Sequence, residues 1–131
     1  KKSVILKCTI KESQGGSSDS IEIGRETIYE IKGKDFYLDG SFRCCGEKDE
    51  EITYGKHLVF NKFTITKEEY IWKFVNKDLA TNKIRITQDL TISRSTGSFS
   101  QSSFYHKDIA GSSNFRGWWS GTCEKVADKK L

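Results

Sequence analysis

The stretch Asn114-Phe-Arg-Gly-Trp-Trp-Ser-Gly-Thr-Cys123 decides how this chain is read, because it holds two of the three tryptophans and ends in a cysteine. It reads as a closing β-strand. Side chains of a strand alternate between its faces, so Phe115, Trp119 and Cys123 fall on one side and Arg116 and Trp118 on the other. Gly117, Ser120 and Gly121 leave room beside the two indoles.

Working outward, the opening segment Ser3 to Lys11 alternates in the same way, with Val4, Leu6, Cys8 and Ile10 facing one side. Cys8 therefore points into the core, as Cys123 does. Ser13 to Asp19 is a polar, glycine-containing loop. Ser20-Ile-Glu-Ile23 and Glu26 to Lys32 read as strands joined by a hairpin at Gly24-Arg25, with a bulge as the other option. Asp35 to Gly40 is a short strand ending in a turn, and Ser41 to Glu51, with Cys44-Cys45 and an acidic run, is expected to be a loop.

Glu51 to Tyr54 and His57 to Phe63 carry the β-branched and aromatic residues that suit a half-buried pleated surface. Thr64 to Asn76 begins like a helix, but Tyr70, Trp72 and Phe74 alternate with Ile71, Lys73 and Val75, which makes it a strand followed by a connection to Asn82. The clearest alternation is Lys83 to Arg94, where Ile84, Ile86, Leu90 and Ile92 share a face. Gln88 interrupts that face as either a hydrogen-bonded core group or a bulge. Ser95-Thr-Gly97 supplies the turn into Ser98 to His106, Ala110 to Ser113 forms a loop, and residues 126–131 form a frayed tail.

Seven to nine short strands without a convincing helix predict an all-β, antiparallel meander closed into a small barrel, with a β-sandwich as the alternative. The length of 131 residues fits one domain spanning 1–131. Hydrophobic residues are 35% and charged residues 31%, a polar balance, yet 12% aromatic content is too rich for a disordered chain. The absence of methionine leads to the expectation of a processed or trimmed N-terminus.

Four cysteines, Cys8, Cys44, Cys45 and Cys123, suit disulfides in an oxidising compartment and allow three pairings. If Cys8 joins Cys123, the first and last strands are held at the Cα spacing of about 4.4 to 6.8 Å that a disulfide requires, and Cys44 is left to its neighbour Cys45. The alternative gives Cys8 and Cys123 one each of the adjacent pair. No apolar run reaches about 18 residues, so no membrane span is expected.

The net charge is +4, and the surplus lies in residues 67–131, which hold 11 basic and 7 acidic residues. That excess is too diffuse for a nucleic-acid face built from Arg85, Arg94, Arg116 and Trp118, and no nucleic-acid partner is expected. Nucleophilic catalysis would need Cys44 or Cys45 beside His57 or His106, and no motif surrounds them. The adjacent cysteines also lack the spacing of a zinc knuckle, so neither enzyme activity, metal nor cofactor is expected.

The aromatics carry the functional reading. Trp and Arg are the residues most enriched at binding hot spots, so Trp118 and Arg116, with Arg85 and Arg94, are candidates for contact with a protein partner. The second reading is a barrel carrying a small apolar ligand against Tyr70, Trp72, Phe74 and Trp119.

The first-strand cysteine, the hairpin Leu90-Thr-Ile-Ser-Arg-Ser-Thr-Gly97 and the ending Gly121-Thr-Cys123 resemble small uncharacterised secreted or periplasmic β-proteins of bacteria. The resemblance implies that compartment and a disulfide between the terminal strands, and Cys44-Cys45 lies outside its pattern. The expected role is a secreted or periplasmic binding module, acting as an inhibitor, an immunity factor or a host-directed factor.

Overall fold

The computed structural model describes residues 3–15, 22–45, 50–105 and 115–126. They form ten strands: β1 (Ser3–Gly15), β2 (Glu26–Lys32), β3 (Asp35–Leu38), β4 (Ser41–Cys45), β5 (Glu50–Tyr54), β6 (His57–Ile65), β7 (Glu69–Asp78), β8 (Ile84–Ser93), β9 (Ser98–Tyr105) and β10 (Phe115–Val126). No helix occurs among the described residues. All ten belong to one antiparallel sheet in the order β4-β3-β2-β1-β10-β9-β8-β7-β6-β5, curled into a half-barrel. Every neighbour in that order is also a neighbour in sequence except β1 and β10.

The first and last strands meet as the disulfide reading required. Cys8 and Cys123 are directly opposed across the β1–β10 pairing and are bonded to one another. Their Cα atoms are 3.9 Å apart, closer than the expected window. Cys123 donates its N–H to the Gly97 carbonyl at 2.6 Å, toward the β9 side, so the two cysteines form a non-hydrogen-bonded pair, the kind in which opposed residues approach most closely. The strands come together here because Gly121 has no side chain: a Cβ at that position would lie 1.8 Å from the Thr9 carbonyl oxygen. Gly97, with φ +79°, does the same for the turn before β9, where a Cβ would lie 2.4 Å from the Cys123 carbonyl oxygen. The hairpin and the Gly-x-Cys ending are therefore one structural unit.

Alternation along the strands sends one face into the concave interior. Leu6, Cys8 and Ile10 of β1 join Tyr29, Ile31, Phe36, Tyr70, Trp72, Leu90, Ile92 and Phe99 in a single core. Its centre is a run of rings in which Phe36 stacks with Tyr29 at 5.5 Å and with Phe63 at 4.7 Å between centroids, and meets Trp72 at 5.6 Å. Offset ring pairs of this kind add roughly 0.5–1.5 kcal/mol each beyond the area they bury.

Three sequence expectations are corrected and one open alternative is decided. Ser41 to Cys45 is strand β4, because pairing with β3 supplies hydrogen-bond partners that the local sequence does not advertise. Glu22 to Arg25 is a turn leading into β2, with Gly24 at φ +93° and Ile23 exposed, instead of the favoured hairpin. The bulge in β8 lies opposite Asn76 and Lys77, and Gln88 is the hydrogen-bonded group, donating to the Tyr105 hydroxyl at 3.0 Å. The first strand continues to Gly15, into what reads as loop. The Ala110 to Ser113 loop, the tail from 127 and His106 lie outside the described residues.

The turn after β7 is held by Asp78, which accepts a hydrogen bond from the Thr81 hydroxyl at 2.7 Å. That bond, aided by backbone N–H groups and the nearby His57, holds the carboxyl below its ordinary value despite some desolvation. A carboxyl whose folded pKa is depressed contributes stability that is fully present above its unfolded value and lost as pH falls through the folded one. Thr81→Val is therefore expected to make the acid limb of a stability profile, below about pH 4, shallower than in the wild type. Equal slopes in chemical denaturation from pH 2 to 6 would refute it.

Candidate functional site

The predicted partner residues are spread over the fold. Trp118 is on the outer face of β10 and is 38% exposed, whereas its neighbour Trp119 packs against the core. The residues paired with Trp118 across the sheet are Gln14 and Ser102, and the latter is too short to cover an indole. The backbone of Arg116 pairs with Phe104, and its side chain lies outside the described ones.

Arg85 and Arg94 lie at opposite ends of β8, about 30 Å apart at roughly 3.4 Å per residue. Each is occupied. The Arg85 Nη1 group lies 2.8 Å from Nδ1 and 2.7 Å from Nε2 of His57, so the imidazole accepts from the guanidinium through one of its nitrogens. Arg94 donates to the Thr66 carbonyl at 2.6 Å and sits 4.9 Å over the Tyr70 ring, a cation–π contact. Trp118 is thus the one member of the set seen presenting an open apolar surface.

The four predicted pocket rings do not surround one cavity. Trp72 is 3% exposed and interlocks with Phe36 and Phe74 in the core. Tyr70 borders an open cleft of about 390 Å³ at the end of the half-barrel near Gly97 and Cys123. Trp119 borders a different cleft, of about 350 Å³, at the opposite mouth. Its walls carry Tyr29, Gln88, Gln101 and Tyr105, with Arg25 and Arg43 at the rim. The Tyr29 hydroxyl donates to Gln101 Oε1 at 3.1 Å. Burial, with a smaller effect of the neighbouring Asp39 carboxylate, holds the Tyr29 phenol above its ordinary value and keeps it a donor.

The seam of the half-barrel is held by a residue that sequence reading missed. Asn61 is 6% exposed; its Oδ1 accepts from Trp72 Nε1 at 2.7 Å, and its Nδ2 donates to the Arg43 carbonyl on edge strand β4. Cys45 Sγ lies 3.4 Å from the Asn61 carbonyl oxygen. Cys44 and Cys45 are bonded to each other, which leaves none of the four cysteines as a free thiol. Among the described residues no group of three His, Cys, Asp or Glu side chains is arranged to hold a metal ion.

No family model, curated protein or solved structure matches this chain. The reading of its function therefore rests on the residues just described. Arg25, Arg43 and Gln101 escaped the sequence reading because the curl of the sheet assembles them from a turn, an edge strand and a central strand. The available signal was polar: Gln88 and Gln101 occupy inward positions on adjacent strands, where apolar residues are the rule.

Proposed function

We propose that this chain is a secreted or periplasmic binding module that acts on a protein partner, as an inhibitor, an immunity factor or a host-directed factor, through the outer face of β10. The observation that carries the reading is Trp118, a large aromatic left open on a strand fixed on both sides by pairing and through Cys123 by a covalent link. A rigid aromatic anchor loses little conformational entropy on binding, which is why such residues dominate interface energetics. The compartment is supported by the Cys8–Cys123 bond, which is consistent with an oxidising extracellular or periplasmic environment. No helix among the described residues is long and apolar enough to cross a membrane. An apolar-ligand carrier draws less support, since Trp72 and Phe74 pack on one another while Tyr70 and Trp119 border separate clefts.

The expected result for Trp118→Ala is unchanged folding, within about 0.5 kcal/mol of the wild type in denaturant, because the ring lies outside the core. A partner captured from the native extracytoplasmic fraction by the wild type is expected to be lost by the variant, with a cost of about 2 kcal/mol or more in titration of the purified pair. Equal capture by both proteins, or a large loss of stability, would remove the role given to this residue.

A further inference from the structure

We propose that the mouth beside Trp119 is a second binding site, independent of the β10 outer face, and that it takes a monosaccharide-sized ligand bearing a carboxylate, a sugar acid. The cleft has the size of a small-ligand pocket, about 350 Å³, at the low end of the range such sites occupy. Its chemistry is polar and specific in three respects.

The floor offers one donor and one acceptor. Gln101 is 9% exposed; its Oε1 is taken by the Tyr29 hydroxyl, and among the described residues its Nε2 has no hydrogen-bond partner. Gln88 is the reverse case, since its Nε2 is spent on the Tyr105 hydroxyl and its Oε1 remains. These two amide groups line the cleft beside Tyr29 and Tyr105, so a hydroxylated occupant finds hydrogen-bond partners there that an apolar one cannot use. A sugar hydroxyl is both donor and acceptor and matches a paired amide donor and amide acceptor.

The wall is the Trp119 indole, which borders the cleft while its other side packs on the core. The electron-rich face of an aromatic ring attracts the polarised C–H groups of a sugar ring as it attracts the positive edge of another aromatic. The rim supplies charge. Arg25 and Arg43 are both exposed, and neither makes an ion pair among the described residues. The one carboxylate lining the cleft, Asp39, already accepts the Ile28 N–H at 2.9 Å. Two guanidinium groups against one carboxylate leave the rim positive, and Arg pairs with carboxylates in a bidentate fashion that Lys does not match.

The test uses the full oxidised chain and three probes, glucuronate, glucose and acetate, in calorimetric titration. Glucuronate is expected to bind, with glucose and acetate each at least about tenfold weaker, the loss corresponding to one charge-assisted contact or to the floor and wall contacts. Gln101→Leu and the double variant Arg25→Ala/Arg43→Ala are each expected to weaken glucuronate about tenfold or more, and the double variant is expected to erase the preference over glucose. Should the leucine variant fail to fold, the arginine pair, at exposed positions, carries the test alone. Absence of glucuronate binding at millimolar concentration, acetate binding as tightly as glucuronate, or an unchanged affinity in the arginine variant would each overturn the proposal. Loss of the Trp118 interaction leaves it untouched, because that residue is on the opposite face of the sheet.

Discussion

Replacing Cys8 and Cys123 together with alanine is expected to destabilise the protein by roughly 4–5 kcal/mol, the chain-entropy value for a loop of about this length. The bond spans 115 residues of sequence and links β1 to β10, which among the described residues are the only adjacent strands that are not consecutive. Its removal therefore frees the denatured chain of its longest constraint and weakens the pairing that unites the sheet. Domains of this size are typically stable by only about 5–15 kcal/mol, so the variant would sit near the threshold of folding. Urea denaturation of the oxidised wild type and the double variant checks the figure. A shift below about 1 kcal/mol would mean that β1 and β10 hold together by packing and hydrogen bonds alone.

The second large effect is expected at Trp72. Truncation to alanine removes a ring that is packed between Phe36 and Phe74, and costs of about 3–5 kcal/mol are usual for such a change. Trp72→Phe separates two contributions. It keeps most of the ring but leaves the buried Asn61 Oδ1 without its donor, at a cost of roughly 1–3 kcal/mol. Asn61 is also the link to Arg43 on β4, so the phenylalanine variant is expected to show faster amide hydrogen exchange in β4 than in β1. Uniform exchange across the sheet, with the alanine variant as stable as the wild type, would contradict this account of the seam.

The strands that were legible in the sequence are those whose alternation is strong and whose inward residues are apolar: β1, the Leu90 to Ile92 part of β8, and the part of β10 from Trp118 to Cys123; Ile84, expected on the same face as Leu90, lies beyond the bulge and is exposed. In each case one face is buried against the core and the other meets solvent, so period-two patterning has a physical cause. Strand β4 was opaque because Ser41-Phe-Arg-Cys-Cys45 places two cysteines side by side and shows no alternation. Its conformation comes from β3 across the sheet, a partner that local sequence cannot reveal. The same limit applies to the mouth. Gln101 and Arg43 are 58 positions apart in the chain and become neighbours only through curvature, which no short window encodes. The split between Trp118 and Trp119, by contrast, follows from adjacency in a strand and needs no tertiary information.

The strand order also carries a consequence for how the molecule is made. Apart from β1 beside β10, every pairing joins consecutive strands, so the sheet consists of two zigzags, one of four strands and one of six, sharing a single border. Each can be laid down locally and in order of synthesis, and local pairings form fast because little chain must be looped to reach them. The two zigzags are one sheet only through that border, and Cys8 and Cys123 stand directly opposed on it. The bond therefore tethers the two zigzags at their shared border, so that while it is intact a local opening of either piece leaves the other still beside it.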